Sequence, residues 1–256
     1  MALTQNAKDT YKTLFGNDPQ KSPTDPGLME ILQNQIFDEV FSTGVLDNKM
    51  REIITVTTIA ALGQLPQLKA HTNAALNVGN TPLELREAVY QCAPYIGWPM
   101  TLNAVGAMNG VFKDRGCTLP LEDAGTVSYD EREDKGAAVQ TPLYGDEVKS
   151  VFAALPGDFG TFVPHLLTAS FFGDFETRGV LSVKVRELLG VVILTAIGQA
   201  MQLKPHINGA VKAGNTLEEV TAALVQALPY TGFPKALSAL VLITQYDASG
   251  SSEAYR

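Results

Sequence analysis

Residues 51–99, REIITVTTIAALGQLPQLKAHTNAALNVGNTPLELREAVYQCAPYIGWP, decide the fold because the chain contains them twice. Residues 186–234 read RELLGVVILTAIGQAMQLKPHINGAVKAGNTLEEVTAALVQALPYTGFP and align with the first stretch, without a gap, at a constant offset of 135. About 22 of the 49 positions are identical, and most of the others exchange one apolar residue for another. The match extends upstream, where Phe37, Gly44 and Leu46 pair with Phe172, Gly179 and Leu181. Two copies of a unit this size are a domain-sized duplication, not a solenoid array. Two such units are expected to pack about an approximate two-fold axis.

The pattern inside each copy is helical. Asp47 and Ser182 stand just before apolar-rich runs and are good N-cap residues. The helices they start should run to about Gly63 and Gly198. The first is apolar on most faces (Ile53, Ile54, Val56, Ile59, Leu62), which predicts a central, buried helix. A second helix is predicted near Pro66 to Val78, ending at Gly79 as a left-handed terminal glycine. Thr81-Pro82-Leu83-Glu84 has the form of a capping box with proline at the first helical position, and Thr216 to Glu219 repeats the box. The helices begun there should end before Pro94 and Pro229. Tyr95 to Pro99 and Tyr230 to Pro234 read as turns. A last helix, rich in small residues (Ala104, Gly106, Ala107; Ala236, Ala239), follows each. No strand-like alternation occurs, so the fold class is all-α. A short helix near Ala7 to Phe15 and a loop at GNDPQKSPTDPG precede the first copy. The stretch from Lys113 to Tyr144 is polar and poor in periodicity, and a helix for the second copy is expected near Glu147 to Ala154. The domain reading is residues 1–115 for the first unit, 116–143 for a linker and 144–256 for the second unit.

Bulk properties exclude several functions. Of the 256 residues 45% are apolar, yet no segment reaches the roughly 18 consecutive apolar residues of a membrane span. The polar N-terminus lacks the basic start and apolar run of a secretory signal. A soluble, cytoplasmic protein without a membrane partner is expected. The net charge of −8 and the absence of a Lys/Arg cluster argue against nucleic acid. Cys92 and Cys117 form no CxxC pair, which removes the usual zinc and dithiol motifs and predicts no metal. Two readings stay open for them, a pair of free thiols, as suits a cytosolic protein, or a disulfide between distant segments.

The candidates for chemistry come from the repeat. Of three histidines, His71 and His206 are equivalent, and His165 has no counterpart. Glu52 and Glu187, nineteen residues earlier, lie in the first turn of the most apolar helix. If Gly63 breaks the chain into an antiparallel pair of helices, Glu52 lies about eleven residues before the break and His71 about eight after it. At about 1.5 Å rise per residue the two side chains become neighbours. A carboxylate beside an imidazole sets its tautomer and proton affinity, as acid–base chemistry requires. The alternative is a hydrogen-bonded structural histidine and a solvated Arg–Glu helix start. Arg51 and Arg186 suit a substrate carboxylate or a surface ion pair. Gln64, Gln67, Gln199 and Gln202 suit a substrate carbonyl or the helix ends. Tyr95, Tyr230 and Trp98 line a pocket or pack a turn. Lys69 and Lys204 are read as solvated.

The order R-E, then G, then L-K-x-H-x-x-x-A-x-x-x-G-x-T-x-x-E, then Y-x-G-x-P resembles the carboxymuconolactone decarboxylase family, which includes the alkyl hydroperoxidase D relatives. The resemblance covers about Leu28 to Phe112 and Pro164 to Tyr246. It implies a duplicated helical unit of that superfamily, with Glu52, His71, Glu187 and His206 as catalytic groups. In the peroxidase branch a C-x-x-C lies between Glu and His. Gln64, Gln67, Gln199 and Gln202 hold those positions here, so a thiol peroxidase is disfavoured. The branch that remains resembles 4-carboxymuconolactone decarboxylase, a cofactor-free enzyme of aromatic-acid breakdown. The resemblance then implies no cofactor, a small lactone acid as substrate, and Arg51 or Arg186 holding its carboxylate. Carbon dioxide would leave and His, polarised by Glu, would protonate the dienolate-like product. Hexamers of single units imply a homotrimer of this fused chain, a pseudo-hexamer. Two alternatives stand beside it: an isomerase, cyclase or hydrolase of another small carbonyl acid, and a non-enzymatic oligomeric scaffold. The copies also differ, with Trp98, Thr72 and Ala70 opposite Phe233, Ile207 and Pro205, so one site can have diverged.

Overall fold

The computed structural model describes residues 2–145 and 147–246, and among them there are helices and no strands. The first copy comprises α1 (Gln5–Phe15), α2 (Pro26–Asn34, continued by a π-helical stretch Gln35–Val40), α3 (Asn48–Ala61), α4 (Leu65–Asn77), α5 (Pro82–Tyr90), the short α6 (Ala93–Ile96) and α7 (Trp98–Asp114). The second comprises α8 (Arg132–Tyr144), α9 (Glu147–Phe152), α10 (Phe159–Leu166, continued by π-helix Leu167–Glu176), α11 (Val183–Ile197), α12 (Ala200–Lys212), α13 (Leu217–Thr231) and α14 (Phe233–Thr244). None is long and apolar enough to cross a membrane.

The sequence signals set the ends of these helices. Asp47 accepts from the Met50 amide at 2.8 Å and Ser182 from that of Val185 at 3.3 Å. Both capping boxes are closed in both directions. Gly79 and Gly214, at φ +94° and +101°, end α4 and α12 in the left-handed region that side chains avoid. Two expectations change. The α13 helix does not stop before Pro229 but carries it inside, running to Thr231. The copies part here: α5 ends at Tyr90 and a new short helix starts around Pro94. Packing of α13 against both α3 and α11 holds it together across the proline. The polar stretch read as a linker contains α8, which packs along the π-helical end of α10. Weak periodicity hid it, because only Gly136, Gln140 and Leu143 of α8 are buried.

The two copies share one core. Ile54, Val56, Ile59, Leu68 and Leu85 of the first and Leu189, Val191, Ile193, Leu203 and Leu224 of the second belong to a single buried cluster. Burial of this size is the main favourable term in holding the copies together. The contacts between them are reciprocal. Arg51 of the first copy donates to Gln226 of the second at 2.9 Å, and Arg186 of the second donates to Gln91 of the first at 2.9 Å. Residue i meets j and the equivalent of j meets the equivalent of i, which is the signature of a two-fold relation.

Candidate active site

Each copy brings its Glu and His together. In the first, α3 and α4 pack side by side, and Glu52 and His71 are both buried. His71 Nδ1 lies 2.9 Å from Glu52 Oε2, so with an ionised carboxylate the ring carries its proton on Nδ1. The other nitrogen, Nε2, faces the hydroxyl of Tyr230 at 3.4 Å, a residue of the second copy. Phe15 and Tyr230 meet the ring edge-on at 5.7 and 5.4 Å between centroids. Both nitrogens of His71 therefore have protein neighbours.

The second copy is built differently. Tyr144, the last residue of α8, inserts its hydroxyl between Glu187 and His206, bonding Glu187 Oε2 closely and lying 2.8 Å from His206 Nδ1. The direct Glu187–His206 separation is 3.6 Å. Burial, and then the charge of Glu187, push the Tyr144 hydroxyl well above its ordinary range, so it keeps its proton. A phenol has one proton to donate. It goes to the carboxylate, and the phenol oxygen accepts from His206 Nδ1–H. The chain His206–Tyr144–Glu187 leaves Nε2 of His206 as the nitrogen available to a ligand.

Tyr144 has a structural counterpart in the first copy. Asn77 donates to the Leu14 carbonyl at 2.8 Å, and its equivalent Lys212 donates to the Leu143 carbonyl at 2.9 Å. Leu14 thus corresponds to Leu143, and the residue after each is Phe15 and Tyr144. A glycine makes room for the larger contact. A Cβ on Gly209 would lie 2.5 Å from the Tyr144 hydroxyl and 2.7 Å from Glu187, whereas the first copy has Ala74 at this position. Gly190, opposite Thr55, does the same for Tyr95 of the first copy, whose hydroxyl would lie 2.4 Å from an added Cβ. The Tyr95 ring is 5.7 Å from that of His206.

A cavity of about 400 Å³ opens onto His206. Its polar lining is Tyr95, Gln140, Tyr144, Gln199, Gln202 and His206. Its wall is Phe152, Leu167, Phe171, Phe172, Leu194 and Ile197. Size and lining are those of a small-molecule site. The π-helical end of α10 supplies Leu167, Phe171 and Phe172, in keeping with the frequent placement of π-helix at functional sites.

Behind the cavity lies a third acidic group. Glu176 is buried at the end of the π-helix and accepts from Gln91 at 2.5 Å. Burial, and then the nearby Glu187 charge, raise its carboxyl to about 8 from an ordinary 4.5, against the pull of Gln91 and Arg186. The copies are again chemically distinct here. Gln226 donates to the Thr55 hydroxyl at 3.1 Å; its equivalent Gln91 finds Gly190 in that place and bonds Glu176, which replaces Phe41.

The residues singled out in the sequence divide clearly. Glu187, His206, Gln199, Gln202 and Tyr95 come together at the cavity, and Tyr230 joins Glu52 and His71. Gln64 and Gln67 are exposed at the start of α4, where Gln64 donates to the Leu62 carbonyl. Trp98 is 62% exposed, has its ring 6.0 Å from that of Phe175, and lines a neighbouring pocket instead of the cavity at His206. Arg51 and Arg186 are neither surface ion pairs nor cavity residues. Arg51 is buried against the carbonyls of Val40, Thr43 and Leu46 and against Gln226. Arg186 is buried against Gln91, Glu87 and the carbonyls of Arg178 and Gly179. Both guanidinium groups hold the loop before their own helix and the seam between the copies. His165 Nδ1 lies 2.9 Å from a Glu133 carboxylate oxygen on the outer surface. Cys92 and Cys117 are free thiols, and burial pushes Cys92 up to about 12, far from a reactive thiolate. Tyr144, Phe15 and Glu176 were missed. The offset between α1 and α8 is 129 instead of 135, because α9 adds length, so an ungapped comparison does not align Phe15 with Tyr144.

The same two regions match a family model. Residues 26–110 and 163–245 match the model of the carboxymuconolactone decarboxylase family. Among curated relatives, 4-carboxymuconolactone decarboxylase of Acinetobacter baylyi is 36% identical over 78 residues, 30% of this chain and 58% of that protein. Nitrosuccinic acid decarboxylase of Metarhizium robertsii is 35% identical over 82 residues, 32% of this chain and 57% of that protein. The chain thus spans little more than half the length of either relative. A solved structure from Burkholderia xenovorans, described as a gamma-carboxymuconolactone decarboxylase subunit, superposes with a TM-score of 0.53 at 23% identity, covering 95% of this chain and 97% of that one. It shows the shared fold. With both copies of its helical unit matched over more than half its length, the chain belongs to the carboxymuconolactone decarboxylase family.

Proposed function

We propose that this chain is a cofactor-free decarboxylase of a small lactone or β-keto acid and that Glu187, Tyr144 and His206 form its acid–base centre. The observation that carries the reading is the relay from a buried carboxylate through a phenol to an imidazole whose free nitrogen meets a small-molecule cavity. Two curated relatives with decarboxylase names support the reaction class. Without a cofactor the electron sink must lie in the substrate, as a carbonyl conjugated with the carbon that bears the carboxylate. The bond to the carboxylate breaks, carbon dioxide leaves, and the electron pair enters the carbonyl as an enolate. Protonated His206 gives its Nε2 proton to the product and regains one from solvent, so one proton is consumed per turnover. Glu187, through Tyr144, orients the ring and stabilises its positive charge. Purified protein supplied with small lactone and β-keto acids, 4-carboxymuconolactone among them, is expected to release carbon dioxide and, in heavy water, to place one solvent deuteron in the product. No release from any of them would refute the reading.

We also propose that the chain assembles as a homotrimer. Trp98 and Leu102 on α7, and their equivalents Phe233 and Leu237 on α14, are all more than half exposed. Each copy therefore presents the same apolar face, and a ring of three chains would place six such faces in like surroundings. Sedimentation velocity at micromolar concentration should give three times the chain mass; a monomer there would refute the assembly.

A further inference from the structure

An enolate formed in the cavity needs a hydrogen-bond donor on its oxygen, because charge brought out of water must be met by a partner. Most donors around the cavity are committed or loosely held. Tyr144 gives its one proton to Glu187. The Tyr95 hydroxyl is buried against Gly190 of α11. His206 delivers its Nε2 proton to carbon in the proposed reaction. Gln199 and Gln202 are exposed at the start of α12. Gln140 differs from all of these. It is 4% exposed, yet it lines the cavity. The Thr168 hydroxyl donates to its Oε1 at 2.6 Å. With the oxygen held, Nε2 is the atom the amide offers to the cavity, and among the described residues it has no partner. A buried donor left unpaired costs free energy until a ligand or water meets it.

The helices place this amide beside the relay. Gln140 stands one turn before Tyr144 on the same face of α8, and Tyr144 touches His206. One turn further back, Gly136 meets the π-helical end of α10 at Gly173. A Cβ on either glycine would run into the backbone of the other helix, so this close approach sets Thr168 against Gln140. The first copy is filled here instead. With the offset of 129 between α1 and α8, Tyr11 stands for Gln140, and its ring packs on Phe15 and Phe37 at 4.6 and 5.3 Å. We propose that Gln140 Nε2 donates to the carbonyl oxygen of the bound acid and holds the negative charge that gathers there as carbon dioxide leaves. No proton moves along this bond. The amide keeps both of its protons, and the contact strengthens as the oxygen becomes negative, while His206 alone protonates carbon. The part in catalysis rests on the decarboxylase reading above and deepens it by naming the group that meets the electron sink.

The test uses paraconate, 5-oxotetrahydrofuran-3-carboxylate, a lactone acid whose carboxylate sits one carbon too far from the carbonyl to be lost. Its carbonyl stretch lies clear of the protein's amide bands. Infrared difference spectra of the bound ligand are expected to show that stretch at a higher frequency in Gln140→Met than in the native chain. Methionine keeps the length of the side chain and removes the donor. Thr168→Val leaves the amide but frees it to turn, and is expected to give a smaller shift in the same direction. With any acid the protein decarboxylates, Gln140→Met should lower kcat about 10²- to 10³-fold, as loss of one such donor does, and leave KM and the pH profile of kcat nearly unmoved. A merely structural role would lower the melting temperature without moving the carbonyl stretch. An unchanged stretch in folded Gln140→Met, or no binding of paraconate to the native chain, would overturn the proposal. Should Gln140→Met not fold, an unchanged stretch in Thr168→Val overturns it. A Gln140-dependent shift without carbon dioxide release would uphold the contact and refute decarboxylation alone. Release with kcat unchanged in the variant would refute the role of Gln140 and leave decarboxylation standing.

Discussion

Replacing His206 by glutamine is expected to lower turnover about 10²- to 10⁴-fold, the range typical of a positioned acid–base group. Glutamine keeps an amide near the ring's position but cannot hold a transferable proton at neutral pH. The change removes the donor and leaves Glu187 and Tyr144 bonded to each other, since their contact does not involve the ring. His206 is partly exposed at the cavity, so the melting temperature should move little. The loss should fall mainly on kcat, because protonation belongs to the transition state and the neighbouring glutamines still hold the ligand. Steady-state kinetics with any acid the protein decarboxylates, together with a melting curve, check both parts. Unchanged kcat in a folded variant would remove His206 from the mechanism.

Glu176→Gln is expected to stabilise the protein at pH 8 and to lose that advantage as the pH falls to 4.5. The carboxyl has an ordinary value of 4.5 and is raised to about 8 in the fold by burial and by Glu187. Between those values the native chain holds a proton at this site that the unfolded chain has released. Stability therefore falls as pH rises through the window, by at most about 1.4 kcal/mol per unit, and levels off above pH 8. Below 4.5 both states are protonated and the penalty vanishes. Glutamine is neutral throughout and keeps an oxygen to accept the Gln91 amide. With the attraction to Arg186 set against the gain, about 2–4 kcal/mol of stabilisation is expected at pH 8, or about 10 °C in melting temperature. Denaturant unfolding of both proteins at pH 5 and pH 8 measures the difference and its slope. A variant less stable than the parent at pH 8 would show instead that Arg186 holds Glu176 ionised.

The duplication, the helix starts at Asp47, Ser182, Thr81 and Thr216, and the approach of each Glu to its His could all be read along the chain. These features are local: caps act within one turn, and a helix, a glycine and a second helix bring residues nineteen apart together by rise and direction alone. The roles of Arg51 and Arg186 could not be read this way. An arginine in the first turn of a helix looks solvated until the other copy supplies Gln226 and Gln91 and the preceding loop supplies carbonyls. Pro229 marked a helix end only because the packing that carries α13 past it lies in α3 and α11.

By itself the sequence determined an all-helical, duplicated chain with two Glu–His pairs and no thiols between them. The tertiary structure set a cavity against the second pair. That depends on Tyr144 arriving from α8 where Phe15 stands in the first copy, on Tyr95 and Tyr230 crossing between the copies, and on Gly190 and Gly209 leaving them space. Each of these contacts joins residues far apart in the chain, and no local periodicity records which distant side chain will fill a gap.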